Sequence, residues 1–194
     1  MENTMFNMIA AILQNGVMDF YEEMLSLMDL FTTSSVSPQM WQLLPIIYDT
    51  FCRDGFDFFS EMMGVIYNYV RVDTDVFLSN PKHLEIVVTM CKKVLTTGCG
   101  EDVQTNACKL LEVVVIQCQG RIDAYIPSIM EVCLERLTRE SKTVDMRRMC
   151  LQVQCSFYCN SIQLWGSGDH TDSRQSKPIT QSVLQTVDQR CWPL

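Results

Sequence analysis

Apolar residues recur at helical spacing along most of this 194-residue chain. Between Met5 and Phe157, one segment after another places apolar side chains three and four residues apart, which is the pattern of an amphipathic helix. Eight such stripes precede residue 160. Each stripe predicts one helix with a single buried face, so the sequence predicts an all-α fold in which every helix needs a neighbour.

The boundaries of these helices repeat at about 40 residues. The dipeptides Ser37–Pro38 and Asn80–Pro81 each place a capping side chain ahead of a proline at a first helical position, and they are 43 residues apart. Glycines that follow three of the stripes lie at similar intervals, at Gly16, Gly55 and Gly98. This period for a pair of helices is typical of HEAT or armadillo arrays.

The repeat divides the chain into about four antiparallel helix pairs. One pair cannot bury both apolar faces alone, so we predict that neighbours stack into a HEAT-repeat α-solenoid. Residues 71–80 form a longer connection with room for one helical turn. Pro45 and Pro127 lie within apolar helical patterns, where proline removes a backbone hydrogen bond, so we expect kinked helices there. The predicted pairs are 1–32, 37–70, 81–119 and 122–159.

The helical pattern fails after residue 159. The sequence over 160–194 is rich in Ser, Gln, Thr, Gly and Asp, so we predict an irregular, flexible tail with at most a weak helix over 179–189. We therefore expect two parts, a solenoid over 1–159 and a divergent tail over 160–194. The abrupt change suggests a spliced or frame-shifted C-terminal end, a hypothesis that transcript sequencing across this boundary tests.

The ten cysteines indicate neither a disulfide framework nor a metal site. Most lie within apolar runs and the N-terminus has no secretory pattern, so we expect reduced thiols that act as small core hydrophobes. On a helix, Cys155 and Cys159 lie about 140° and 180° around from Cys150, so the three cannot converge on one ion with His170. We place Cys150 in the core and expect Cys155 and Cys159 to be exposed.

The sequence lacks the residue patterns of enzymes, nucleic-acid binders and membrane proteins. It has no glycine-rich phosphate loop, nucleophile elbow or metal-binding histidine pair, so we predict no catalysis and no cofactor. Acids such as Asp54 and Asp57 are better explained by helix caps and acidic first turns. Basic pairs at 92–93 and 147–148 are isolated, which argues against nucleic acid as a partner. No stretch approaches the roughly 20 apolar residues of a membrane span.

Negative charge is concentrated at the front of the chain. Residues 1–70 contain nine acidic residues and one basic residue, Arg53, whereas residues 71–194 contain 14 of each. If second helices line the concave side, their carboxylates form a negative surface that attracts basic protein segments, although an ordinary solubilising surface explains the charges equally well. The candidate acidic binding face consists of Asp19, Glu22, Glu23, Asp29, Asp57 and Glu61.

Long runs of ordinary residues resemble one family of receptors. The stretch "MENTMFNMIAAILQNGVMDFYEEMLSLMDLFTTSSVSPQMWQLLPIIYD", with "CKKVLTTGCGED", "CKLLEVVVIQC" and "LERLTRE", resembles the importin-seven and importin-eight subgroup of the importin-beta, or karyopherin, family. The similarity covers about residues 1–158. It implies HEAT repeats from the later part of a longer receptor that carries proteins through nuclear pores between cytoplasm and nucleus.

The resemblance also implies partners. Cargo of the subgroup tends to be basic, such as ribosomal proteins and histones, and the candidate acidic face suits such cargo. Resemblance to the family further suggests grooves that bind the Phe-Gly repeats of nuclear pore proteins. In the family the GTPase Ran is gripped largely by N-terminal repeats that should precede Met1, so the resemblance does not extend to Ran binding by this chain.

These observations predict a fragment or truncated isoform of a nuclear transport receptor that captures basic cargo without catalysis. Two alternatives stay open, namely a non-functional truncated product and a structural HEAT-repeat scaffold that docks a permanent protein partner. The scaffold alternative follows from solenoid ends that lack polar capping repeats. The side chains that would leave those ends apolar are Met1, Met5, Met8, Cys155 and Cys159.

Overall fold

A computed structural model describes the chain over residues 2–166, with side chains described over residues 2–158. This part consists of nine α-helices and three short 3-10 turns, and it contains no strand, which confirms the all-α prediction. The α-helices are α1 Glu2–Gln14, α2 Tyr21–Thr32, α3 Leu43–Arg53, α4 Phe59–Val72, α5 Thr74–Ser79, α6 Pro81–Thr96, α7 Glu101–Gln117, α8 Ile126–Thr138 and α9 Val144–Gly166. The 3-10 turns are Met18–Phe20, Met40–Gln42 and Phe56–Phe58.

The eight long helices form two layers. The first helices of successive pairs contact one another in the order α1, α3, α6, α8, and the second helices do so in the order α2, α4, α7. Helix α9 joins α7 in the second layer, where Gln152 Nε2 donates a hydrogen bond of 2.9 Å to Glu112 Oε1. This serial contact between equivalent helices is the arrangement of a HEAT-type α-solenoid, so the predicted fold class is confirmed for the described residues.

Most of the helix boundaries follow the signals in the sequence. Asn80 caps α6 by accepting a hydrogen bond of 3.1 Å from the backbone N–H of Lys82, and Pro81 is the first residue of that helix. Gly16 follows α1 with φ at 71°, a backbone conformation that glycine adopts without steric cost. The short helix α5 is the extra turn expected within residues 71–80.

The predicted proline kinks are wrong. Pro45 is the third residue of α3, and Pro127 is the second residue of α8. The N–H groups of a helix's first turn have no partner within the helix, so proline removes no hydrogen bond there. The apolar pattern extends beyond the true helix start in both cases because residues before the helix, such as Met40 and Ile122, are also buried.

The core consists mainly of the predicted stripes. In α6 every apolar stripe residue is buried, and α4 buries Phe59, Met62, Ile66 and Val70. Some stripe residues, such as Met63, are only half-buried, and two of the first pair, Met8 and Phe31, are 38% and 39% exposed. Apolar periodicity thus predicts helix faces well, but it does not show which face lacks a neighbour.

Five described cysteines are buried, as expected for small core hydrophobes. Cys150 lies among them, 3.5 Å from Cys108 when the distance is measured between the two Sγ atoms. Burial raises the pKa of the Cys118 thiol to about 11, so that thiol is protonated at neutral pH. Cys155 is exposed, which confirms the prediction that its side chain lies outside the core. The side chain of Cys159 and all of His170 lie outside the described residues.

Helix α9 ends at Gly166 and therefore continues into the range predicted as a tail. Its sequence after residue 159 has a weak apolar pattern, and helical backbone hydrogen bonds do not require an apolar stripe. Residues 167–194, including the weak helix predicted over 179–189, lie outside the described residues. Among the helices that the structure does describe, none combines the length and apolar character needed to cross a membrane.

A polar cluster joins the start of α7 to the last pair. The Glu101 carboxylate accepts hydrogen bonds from the Thr143 hydroxyl, from the backbone N–H groups of Lys142 and Thr143, and from the buried Arg136 guanidinium. Arg136 also donates from Nε to Gln104 Oε1 at 2.6 Å. These hydrogen bonds lower the pKa of Glu101 from 4.5 to about 2, and the bond from the Thr143 hydroxyl has the largest effect.

This pKa shift predicts a loss of stability in acid. A carboxylate whose pKa is lower in the folded state than in the unfolded state contributes its full stabilisation at pH values above its unfolded-state pKa. For Glu101 this contribution disappears as the pH falls from about 4.5 towards about 2. We expect urea unfolding midpoints of the wild type to fall more between about pH 5 and about pH 3 than those of Glu101→Gln. Asp102→Asn, at the neighbouring exposed acid, is the control, and equal acid sensitivity of wild type and Glu101→Gln contradicts the prediction.

Candidate functional site

The candidate acids lie mainly at the starts of two neighbouring second helices. Asp19 and Asp57 belong to the 3-10 turns that precede α2 and α4, and the glutamates follow in the first helical turns. Carboxylates are favourable at helix N-termini because the macrodipole places partial positive charge there. Five of the six candidates are exposed and are called the acidic corner, namely Asp19, Glu22, Glu23, Asp57 and Glu61.

The two helix starts carry the same short motif. "MDFYEEM" begins at Met18 and "FDFFSEM" begins at Phe56, so Asp19 corresponds to Asp57 and Glu23 corresponds to Glu61. In both copies the aromatic residue that opens the helix is fully buried. The burial of this residue fixes the helix rotation, so equivalent acids take equivalent positions in the two repeats.

Side-chain contacts hold the two helix starts together. The ring of Tyr21 in α2 packs edge-on against that of Phe58, with centroids 5.2 Å apart. The Tyr21 hydroxyl donates a hydrogen bond of 2.9 Å to Asp54 Oδ1. Since Glu22 follows Tyr21 and Asp57 precedes Phe58, the packing brings acids from both pairs to the same end of the second-helix layer.

Arg53, the one basic residue within residues 1–70, makes its polar contacts within the first two helix pairs. Arg53 donates to the carbonyl oxygens of Leu13 and Gln14 at 2.6 and 3.2 Å, which satisfies the C-terminal end of α1. It also pairs with Asp54 at 2.9 Å, and this hydrogen bond lowers the pKa of the Asp54 carboxyl. Within the described residues no member of the acidic corner forms an ion pair, so the negative charge of the corner is not neutralised locally.

Asp29 is placed differently from the other candidates. It lies in the last turn of α2 and is half-buried, and its Oδ1 accepts a hydrogen bond of 2.8 Å from Asn68 Nδ2 of α4. A Cβ atom at Gly64 would lie 2.9 Å from the same carboxylate oxygen, so the two helices approach closely there. The structure therefore ties Asp29 to the contact between α2 and α4 and does not bring it to the acidic corner.

Beside the acidic corner lies an apolar surface that the sequence pattern did not indicate. Val17, Met18 and Phe20 are 38%, 45% and 51% exposed, although all three are large hydrophobic residues. They belong to the connection between α1 and α2, outside both stripes. The signal that could have identified them is the presence of three apolar residues among the four positions directly after the helix-ending Gly16.

The described residues do not suggest a metal centre. They contain no group of three or more His, Cys, Asp and Glu side chains arranged to hold a metal ion. Chemically, the acidic corner can attract cations through several unpaired carboxylates, and the adjoining turn can bury apolar atoms of a ligand. This combination suits recognition of a protein segment.

Comparison with known proteins gives consistent matches. Importin-8 of Homo sapiens is 53% identical over 154 residues, and importin-8 of Danio rerio is 52% identical over 157 residues. Each match covers 79% of this chain and 15% of the relative. A probable importin-7 homolog of Dictyostelium discoideum is 31% identical over 169 residues, which is 80% of this chain and 16% of that protein. No protein-family model and no solved structure matches the chain.

Proposed function

Because the chain belongs to the importin-7 and importin-8 subgroup of the importin-beta, or karyopherin, family of nuclear transport receptors, we propose that it binds basic cargo proteins during nuclear import. The chain spans about 15% of the length of its curated importin-8 relatives. In this proposal it is a fragment or truncated isoform of such a receptor. The binding part is the solenoid over residues 1–159, and the divergent tail over 160–194 is assigned no role.

The observation that carries the proposal is the unneutralised charge of the acidic corner. The corner presents five exposed carboxylates at two adjacent helix starts, while Arg53 is held against the end of α1 and against Asp54. Such a field attracts positively charged segments and speeds their association. Protein segments rich in lysine and arginine, such as those of histones and ribosomal proteins, have the complementary charge.

The remaining features of the proposal follow the family. The protein acts in cytoplasm and nucleus as a binding protein without catalysis, and Phe-Gly repeats of pore proteins are further candidate partners. Ran is a partner proposed for the longer family members rather than for this chain. The proposal includes no nucleic acid and no membrane, because the exposed charge of the acidic corner repels phosphate groups.

Salt dependence of peptide binding tests the proposal. We expect a fluorescent lysine-rich peptide to bind the full chain, with an affinity that falls about tenfold or more between about 50 mM and about 300 mM salt, because counterions screen exposed charges. Fluorescence anisotropy measures the affinity, after a cooperative circular dichroism melt has established that the chain is folded. A glutamate-rich peptide of equal length is the control. A lysine-rich peptide that does not bind, or whose affinity is independent of salt, contradicts the proposal.

A further inference from the structure

Three buried cysteines, here called the thiol cluster, meet where the third helix pair packs against the fourth. Cys108 belongs to α7, Cys133 to α8 and Cys150 to α9, and all three side chains are fully buried. The Sγ atoms of Cys108 and Cys150 are 3.5 Å apart, although the residues are 42 positions apart in the sequence. Cys133 lies close enough to share hydrogen bonds with both of them. These contacts are made inside the core, between helices of the described chain.

The distance between Cys108 and Cys150 suits the formation of a disulfide. Both thiols are free in the structure, and their sulfur atoms are in van der Waals contact, so no third atom lies between them. A disulfide requires a sulfur separation of about 2 Å, which the two thiols reach by approaching each other by about 1.5 Å. Rotation about the Cα–Cβ bonds and a small shift of either helix supply a movement of this size.

The surroundings of the thiol cluster favour reaction at Cys150. Peroxides react with the thiolate form of cysteine rather than with the thiol. Hydrogen bonds from the thiols of Cys108 and Cys133, together with the positive charge of the nearby Arg136, lower the pKa of the Cys150 thiol. Hydrogen bonds to Cys133 and Cys150, together with burial, raise the pKa of the Cys108 thiol, which therefore keeps its proton. Arg136 is itself buried and is held in place by Glu101.

We propose that Cys108 and Cys150 form a disulfide when the protein meets a peroxide, and that this bond links the third helix pair to the fourth. Cys150 loses its proton and its thiolate attacks a peroxide oxygen. The O–O bond breaks, which leaves a sulfenic acid on Cys150 and a hydroxide ion that takes up the released proton as water. The Cys108 sulfur then attacks the sulfenic sulfur, the S–S bond forms and the S–O bond breaks. The departing hydroxyl leaves with the Cys108 proton as a second water, so two thiols lose the two electrons that the peroxide gains.

The position of this bond determines its rate of formation and its effect. Because both sulfurs are buried, the peroxide reaches them during local opening of the helices, so this oxidation is slower than that of the exposed Cys52 and Cys155. Each repeat of a solenoid contacts only its neighbours. A bond between α7 and α9 therefore restrains movement at one junction of the stack, between the third and the fourth pair.

Peptide mapping by mass spectrometry tests whether the bond forms. The reduced full chain is treated with hydrogen peroxide at low protein concentration, the remaining thiols are alkylated, and the monomer is digested without reductant. We expect a pair of linked peptides, in which tandem spectra assign the bond to Cys108 and Cys150, with a mass lower by two hydrogen atoms. If Cys52 and Cys155 are oxidised while Cys108 and Cys150 are alkylated, or if Cys150 is linked to Cys133 instead, the inference is wrong.

Urea unfolding with two matched variants provides a second test. Cys108→Ala removes one partner of the bond. Cys118→Ala is the control, because Cys118 is equally buried at the end of α7, and burial and Arg121, rather than another cysteine, set the pKa of its thiol. Circular dichroism melts before oxidation verify that both variants fold. Treated Cys108→Ala also accounts for the effect of peroxide on the methionines.

A disulfide that closes a loop of this length restricts the unfolded chain. We expect peroxide to raise the urea midpoint of the wild type and of Cys118→Ala by about 1 M relative to treated Cys108→Ala, and a reductant to reverse the rise. A wild-type midpoint that responds to peroxide as that of Cys108→Ala does would contradict the inference.

Discussion

Charge reversal of four acids is expected to weaken binding of a lysine-rich peptide by about a hundredfold. The variant combines Glu22→Lys, Glu23→Lys, Asp57→Lys and Glu61→Lys. Each reversal changes the charge by two, so the net charge of residues 1–70 rises from −8 to 0 and cations face cations at the acidic corner. Titration of the peptide into wild type and variant at about 50 mM salt, where screening is weak, measures the change.

The control for this variant changes the same number of charges elsewhere. Four exposed acids of the later helices and loops are replaced by lysine, which gives the chain the same net charge as the first variant. We expect this control to lose far less affinity, because exposed charges farther away than the screening length contribute little. Equal loss in both variants would mean that net charge alone controls binding. The control positions are Asp123, Glu131, Glu140 and Asp145.

Truncation of Phe59 is expected to cause the largest loss of stability. Phe59 opens α4, is fully buried, and lies 5.8 Å from the ring of Phe51. Phe59→Ala removes most of this side chain from the core, and such truncations cost about 3–5 kcal/mol. Because α4 contacts both α2 and α7, loosening it weakens the connection between the first two pairs and the rest of the stack.

Urea unfolding followed by circular dichroism measures this effect. Phe20→Ala is the matched control, since Phe20 is half exposed and its loss is expected to change the free energy of unfolding by no more than about 0.5 kcal/mol. A loss of less than about 1 kcal/mol for Phe59→Ala contradicts the structure's assignment of that ring to the core.

Local patterns in the sequence predicted the helices because those patterns act over short distances. The spacing of apolar residues, the cap at Asn80 and the positive φ at Gly16 are all set within one or two helical turns. The kinks predicted at Pro45 and Pro127 were wrong for a related reason. Residues just before each helix are buried and extend its apolar pattern, so the pattern placed both prolines inside a helix, whereas each lies in a first turn. The periodicity of apolar residues locates the buried face of a helix better than it locates the residue at which the helix begins.

The candidate site was only partly predictable. The acids were visible in the sequence because charge is a property of composition, and their occurrence near helix starts follows from the helix dipole. The sequence alone could not distinguish Asp29 from the other five candidate acids, because its contact with Asn68 joins residues 39 positions apart. The role of Arg53 at the end of α1 likewise depends on contacts with Leu13 and Tyr21 across the first two pairs.

The sequence by itself determined an all-helical chain with a period of about 40 residues and an excess of negative charge at its front. Only the tertiary structure decided that five acids share one corner and that Asp29 belongs to a helix contact. It also decided that Phe58 packs against Tyr21, whereas Phe20, at the same position of the first motif copy, is 51% exposed. The physical reason is that helix formation and charge depend on neighbours in the chain. Burial of a given side chain depends on which helix packs beside it, and that neighbour lies about one repeat away.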